Sequence, residues 1–184
     1  MEEEIINSIN ILKNGGTIVY PTDTIWGIGC DATNIKAVNK IYKIKKRSKT
    51  KNLIVLIADK TKLKNYVKSI PEIAWDLIDN IDKPLTIIYP DGKNLAKNIL
   101  GADGSVAIRI TKEGFSKELI EEYGKPIVST SANISGETPP LSFRKVPQEI
   151  IDGADYIVKL FHDTINEVKA STIIKFVKEE EFTV

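Results

Sequence analysis

The chain has 184 residues, enough for one sizeable domain with its own core and too few for two ordinary ones. Apolar residues make up 42% and charged residues 28%, a balance that excludes a disordered chain. The formal net charge of +1 excludes a global electrostatic pull on nucleic acid, so any affinity for phosphate has to come from a local cluster.

The opening stretch MEEEIINSINILKNGG has neither a basic start nor a continuous apolar run, and no apolar run elsewhere approaches the roughly 20 residues that cross a bilayer. We therefore expect no secretory signal, no membrane association and a cytoplasmic location. Ile5, Ile6, Ile9 and Leu12 recur at helical spacing, and Gly15-Gly16 stops that helix before a β-type run over 17–20. A second helix is predicted over 35–44, with Ile35, Val38, Ile41 and Tyr42 on one face, and 53–58 reads as a strand buried on both sides. Pro71 opens a helix reaching Ile81, followed by strands over 85–89 and 105–111. A helix over 115–123 ends at Gly124, and 126–130 is the next strand. A short helix over 146–151 and strands near 156–160 and 171–177 complete the order.

About seven strands and five helices in mixed sequence predict an α/β (α+β) fold. We expect a single three-layer domain spanning 1–184, in which helices flank a twisted mixed sheet. The proline-rich stretch 138–147, preceded by Gly136, reads as a surface excursion and a candidate lid.

The possible chemistry is narrow. A single cysteine, Cys30, and a single histidine, His162, leave no side-chain cluster for a metal and little room for a Ser-His-Asp or Cys-His mechanism. Four stretches remain. In YPTDTIWGIGC, Thr22 and Thr24 lie two apart and share a side if extended, although Asp23 and the threonines also suit a turn. In KIYKIKKRSKTKNL, Lys40, Lys43, Lys45, Lys46, Arg47, Lys49 and Lys51 supply cations. Lys45 and Arg47 diverge on a helix but share a side if extended, so a site using both requires the helix to have ended. Otherwise the cluster is a solvated helix terminus.

In GKPIVSTSANISGE, Ser129, Ser131 and Asn133 share a face if the strand persists, at the carboxyl end of a strand where open α/β sheets bind ligands. An Asx turn would account for Asn133 but not for the aligned serines. Arg109 interrupts the alternation of SVAIRIT and has to meet a ligand anion or an internal carboxylate. Ser171 and Thr172 open the last strand.

Taken in order, YPTDTIWGIGCDA, the Lys45-x-Arg47 pair with Lys51, PLTIIYP, VAIRI, STSANISG and STIIKF resemble the YrdC/Sua5 family of threonylcarbamoyl-AMP synthases in its short, YrdC-like form, over about residues 5 to 177. The resemblance implies a nucleotidyltransferase that combines L-threonine, bicarbonate and ATP, with Mg²⁺ assisting, into threonylcarbamoyladenylate and pyrophosphate. It implies that the product serves N6-threonylcarbamoyladenosine (t6A) formation at position 37 of tRNA, completed by a separate transferase complex. It places Lys45 and Arg47 as catalytic cations, and Thr22, Thr24, Lys51, Arg109, Ser129, Ser131, Asn133 and Ser171 as substrate or nucleotide contacts. No enzyme nucleophile is needed; the reaction asks for two anions to be positioned and phosphate charge to be neutralised. Three positions depart from the family pattern: Asp23 for glutamate, Trp26 for tyrosine, and Ser48 for the proline after the arginine. Two other readings are a double-stranded RNA or tRNA-binding module without catalysis, and carbamoyl transfer in hydrogenase maturation. The low net charge and lack of basic-aromatic interleaving weigh against the first, and the single cysteine against the zinc-binding part of the second.

Overall fold

The computed structural model describes residues 1–48, 53–164 and 171–177. Among them eight strands form one mixed sheet: β1 (Thr17–Pro21), β2 (Trp26–Cys30), β3 (Ile54–Ile57), β4 (Leu85–Tyr89), β5 (Val106–Ile110), β6 (Ile127–Ser131), β7 (Tyr156–Ile157) and β8 (Thr172–Lys175). Their spatial order is β7-β1-β2-β6-β3-β5-β4-β8, with β7, β3 and β8 parallel to β1, β5 and β4 respectively, and antiparallel pairs between.

Five α-helices cover the sheet: α1 (Glu2–Lys13), α2 (Ile35–Ile44), α3 (Glu72–Asn80), α4 (Gly114–Tyr123) and α5 (Gln148–Gly153). Residues of α1 and α4 (Ile5, Leu12, Phe115, Leu119, Ile120) pack with Ile18, Tyr20, Leu56 and Ile127 on one face. Residues of α2, α3 and α5 (Val38, Ile41, Ala74, Ile150) pack with Val19, Ile28, Val55, Ile87, Ile108 and Val128 on the other. Alternate residues of β1, β3 and β6 thus enter opposite cores, as strands buried on both faces require. The three-layer architecture expected from the sequence is the one observed.

The strand count is corrected from about seven to eight. The additional strand is β2, inside the stretch YPTDTIWGIGC, over which no strand is predicted past residue 20. Its glycines depress strand propensity, yet Gly29 is required by close packing: a Cβ there would lie 2.2 Å from the Val128 carbonyl oxygen and 2.9 Å from the Tyr20 ring. The last two strands are also shorter than expected.

Candidate functional site

A cavity of about 660 Å³ lies on the face that α1 and α4 cover in part. Strand register builds its floor. Gly27 pairs with Ser131, Ile54 with both Ser129 and Ala107, and Thr86 with both Arg109 and Ile173. Partners across a sheet stand side by side on one face, so residues from six strands or their ends meet in one place. Thr22, Thr24, Arg47, Arg109, Ser129, Ser131 and Ser171, all expected from the sequence, line this cavity. Thr138, Pro139 and Leu141 of the proline-rich excursion line it as well. Lys51 lies outside the described residues.

Thr22 makes the turn that the sequence left open. Its hydroxyl donates to the Ile25 carbonyl at 2.7 Å and accepts from the amides of Thr24 and Ile25 at 3.1 and 3.2 Å. The two threonine hydroxyls lie 3.0 Å apart. Between them Asp23 turns toward Arg109, whose Nη2 donates to Asp23 Oδ1 at 3.0 Å. This ion pair is almost fully enclosed, with side-chain exposures of 5% and 11%. Of the two alternatives for Arg109, the internal carboxylate is the one present, and the residue also lines the cavity. Among the described residues its buried Nε has no partner, an unsatisfied donor of a kind that is costly in a dry interior.

The expectation that Lys45 and Arg47 project together from extended chain is corrected. Helix α2 closes in a Schellman turn: the Arg47 amide donates to Tyr42 O and the Lys46 amide to Lys43 O, with Lys46 in the left-handed region at φ 49. The turn separates the two side chains. Arg47 lines the cavity, whereas Lys45 is buried at 1% exposure. The Lys45 ammonium donates to the carbonyl oxygens of Ser131 and, at 2.6 Å, Asn133. The Lys45 carbonyl accepts from the Ser135 amide at 2.9 Å. Lys45 thus pins the 131–135 loop from behind at three points. Burial, then the charge of Arg47, brings its pKa down to about 8. Burial also holds the Arg47 guanidinium below its ordinary range.

Asn133 is corrected in the same way. The strand ends at Ser131, and the Asn133 amide turns back to the Ser131 carbonyl at 2.9 Å, so the alternation that would align Asn133 with the serines stops. Asn133 Nδ2 donates to the carbonyls of Ile134 and Glu137 at 3.0 and 2.8 Å, holding the loop through its donor side and not through the oxygen that an Asx turn uses. Among the described residues its buried Oδ1 has no partner. Among the lining residues not expected from the sequence are the polar Thr130 and Thr86, the latter donating its hydroxyl to Ser171 Oγ at 3.1 Å. Thr86 carries the clearer signal. It interrupts the apolar run LTIIY as Arg109 interrupts VAIRI, and the same signal would have found it.

The Sua5/YciO/YrdC family model, described as telomere recombination, matches residues 10–184. The chain belongs to the Sua5/YciO/YrdC family. A threonylcarbamoyl-AMP synthase of Pseudoalteromonas translucida is 34% identical to this family member over 160 residues, covering 85% of this chain and 86% of the relative. A threonylcarbamoyl-AMP synthase of Riesia pediculicola is 37% identical, covering 74% and 75%. The crystal structure of P. abyssi Sua5 complexed with L-threonine matches with a TM-score of 0.87 at 29% identity, covering 97% of this chain and 52% of that one. This member of the family thus spans about half the length of that protein.

Proposed function

We propose that the chain is an L-threonylcarbamoyladenylate synthase that consumes L-threonine, bicarbonate and ATP and releases pyrophosphate. One observation carries the reading: a cavity large enough for an amino acid beside a nucleotide sets two arginines, Arg47 and Arg109, against hydroxyls from Thr22, Thr24, Thr86, Ser129, Ser131 and Ser171. The names of the relatives and the L-threonine held by the P. abyssi protein support it. The threonine amine adds to CO₂ with loss of a proton to solvent, or to bicarbonate with loss of water, to give a carbamate, and a carbamate oxygen attacks the α-phosphate in line as the bond to the leaving pyrophosphate breaks. Arg47 neutralises the charge that grows on the phosphates, fixed in place by the Schellman turn and therefore needing little reorganisation. Arg109, oriented by Asp23, adds a second guanidinium to the cavity wall. The serine and threonine hydroxyls donate or accept as needed and so suit positioning of carboxylate, carbamate and ribose oxygens. Lys45 acts from beneath, holding the loop that carries Ser131.

Magnesium enters on the nucleotide. Among the described residues no three His, Cys, Asp or Glu side chains gather into a metal site, and Asp23 is taken by Arg109. Hydroxyls and guanidinia suit an ion that travels on phosphate oxygens and water, the usual manner of Mg²⁺ with ATP. The product is a mixed anhydride that a separate transferase uses to modify adenosine in tRNA.

Incubation with ATP, Mg²⁺, bicarbonate and L-threonine should give pyrophosphate release that requires threonine, with threonylcarbamoyladenylate detected by mass spectrometry. Serine, lacking one methyl, should be used about 10- to 100-fold less efficiently. Release that ignores threonine would reject the assignment.

A further inference from the structure

The cavity wall formed by Thr138, Pro139 and Leu141 is weakly tied to the body through its main chain. Over 138–142 its one hydrogen bond to the sheet among those described runs from the Trp26 amide to the Pro140 carbonyl at 3.3 Å. The following residue, Phe143, is held by rings instead. Phe143 stacks on His162 with centroids 3.8 Å apart and planes at 16°, and tilts against Trp26 at 5.1 Å. His162 meets Trp26 edge-on at 5.4 Å. The His162 ring is itself fixed, because Nε2 donates to the Val158 carbonyl at 2.7 Å, just past β7. Trp26 is fully buried in the core. A proline-rich segment with one main-chain bond to the sheet and one buried residue, Pro140, is thereby clipped further to the body by an aromatic cluster.

We propose that the Trp26–Phe143–His162 cluster is a latch: Phe143 and His162 are positioning residues that hold the 138–141 wall over the cavity and set how often it opens. Stacked pairs contribute beyond area burial by an amount equivalent to roughly two- to tenfold in an equilibrium, which suits a wall that closes firmly yet opens within a turnover. Arg144, paired with Asp163 at 2.7 Å, adds little because both side chains are largely in water. The wall admits and retains the substrates of the proposed synthase, so the part of this inference that concerns retention rests on that reading; the latch does not.

Trypsin reads the latch directly, since cleavage after Arg144 and Lys145 follows the population of the open segment when opening is fast relative to cleavage. In the intact protein, Phe143→Ala and His162→Ala should speed cleavage there roughly three- to tenfold, while cleavage after Lys117 in α4 stays at the wild-type rate. His162→Phe keeps a ring to stack on but loses the bond to the Val158 carbonyl, so its cleavage should fall between the wild-type and alanine rates. Release of bound ATP, followed by the fluorescence of the protein, should quicken by a similar factor in the two alanine variants. Wild-type cleavage after Arg144 in both alanine variants would overturn the latch, as would acceleration at Lys117 as well, which marks general destabilisation. Faster cleavage with unchanged ATP release would leave the latch standing and overturn its role in retention; a wild-type protein without threonine-dependent turnover would reject the synthase reading alone.

Discussion

Lys45 and Arg47 stand two positions apart and act through different contacts, so their substitutions should separate. Replacing Lys45 with Met leaves the Asn133 carbonyl without its ammonium donor and the Ser131 carbonyl with the Asn133 amide in place of two donors. A stranded buried acceptor costs about 1–3 kcal/mol, offset in part because an ammonium no longer has to be buried. Lys45→Met should therefore lower unfolding stability in urea by about 2 kcal/mol, with loss of turnover following from a loosened Ser131. Arg47 is only half-buried, and its side chain lines the cavity. Arg47→Ala should leave the urea midpoint nearly in place and lower turnover by roughly 10². Equal stability losses in the two variants would contradict this division. The sequence displayed both cations and their spacing. It did not display the left-handed turn at Lys46, because such turns are ordinarily announced by glycine and here a lysine occupies the position.

At the scale of elements, β2 shows what a sequence conceals. Strands β1, β3, β4, β5 and β6 were legible as apolar or alternating runs, and the alternation put Ser129 and Ser131 on one face; that Thr22, Thr24 and Arg109 join them was implied by the family resemblance, and Thr22 and Thr24 do so through a turn. WGIGC resembles a connection because glycine lacks strand propensity, and the need for it appears only once Val128 and Tyr20 are seen pressing on it. Asn133 was misplaced for a related reason: period-two reasoning holds only while a strand lasts, and the hydrogen bond that bends the chain after Ser131 is not a local sequence signal. The glycines of β2 should also respond unequally. At Gly29 an added methyl meets backbone at 2.2 Å, so Gly29→Ala should force β2 away from β6 and cost about 3 kcal/mol or more. At Gly27 the nearest atom is the Thr22 methyl at 3.1 Å, a side-chain group that can shift, and Ser129 Oγ and the Thr130 carbonyl oxygen both lie at 3.4 Å, the edge of ordinary contact. Gly27→Ala should cost about 1 kcal/mol in urea unfolding while weakening substrate binding, because Gly27 belongs to the cavity floor. The reverse ranking of stabilities would show that β2 and β6 are not packed as described.

Over the whole molecule, buried titratable groups set how stability answers to alkali, and two effects oppose each other. Lys45 has a folded pKa of about 8 against an ordinary 10.5. Between those values the unfolded chain holds the proton that the folded chain has released, so this group makes stability rise with pH across that window. Cys30 and four buried tyrosines act in the other direction. Burial raises the Cys30 thiol above its ordinary 9.0 and Tyr20, Tyr42, Tyr89 and Tyr123 above their ordinary 10.0, with the Asp31 carboxylate that Tyr123 donates to adding to the last. For these groups the unfolded chain ionises first, so each withdraws stability as pH climbs past its unfolded value. Five groups outweigh one lysine once the tyrosines of the unfolded chain begin to ionise. The urea midpoint should accordingly stay level or rise slightly from pH 8 to 9, then fall ever more steeply beyond pH 10. Cys30→Ala takes away the component that begins at pH 9 and should delay the onset of the fall, and Lys45→Met should abolish the rise. A midpoint that kept climbing to pH 11 in the wild-type protein would mean that the tyrosine hydroxyls are not enclosed between the two helical layers.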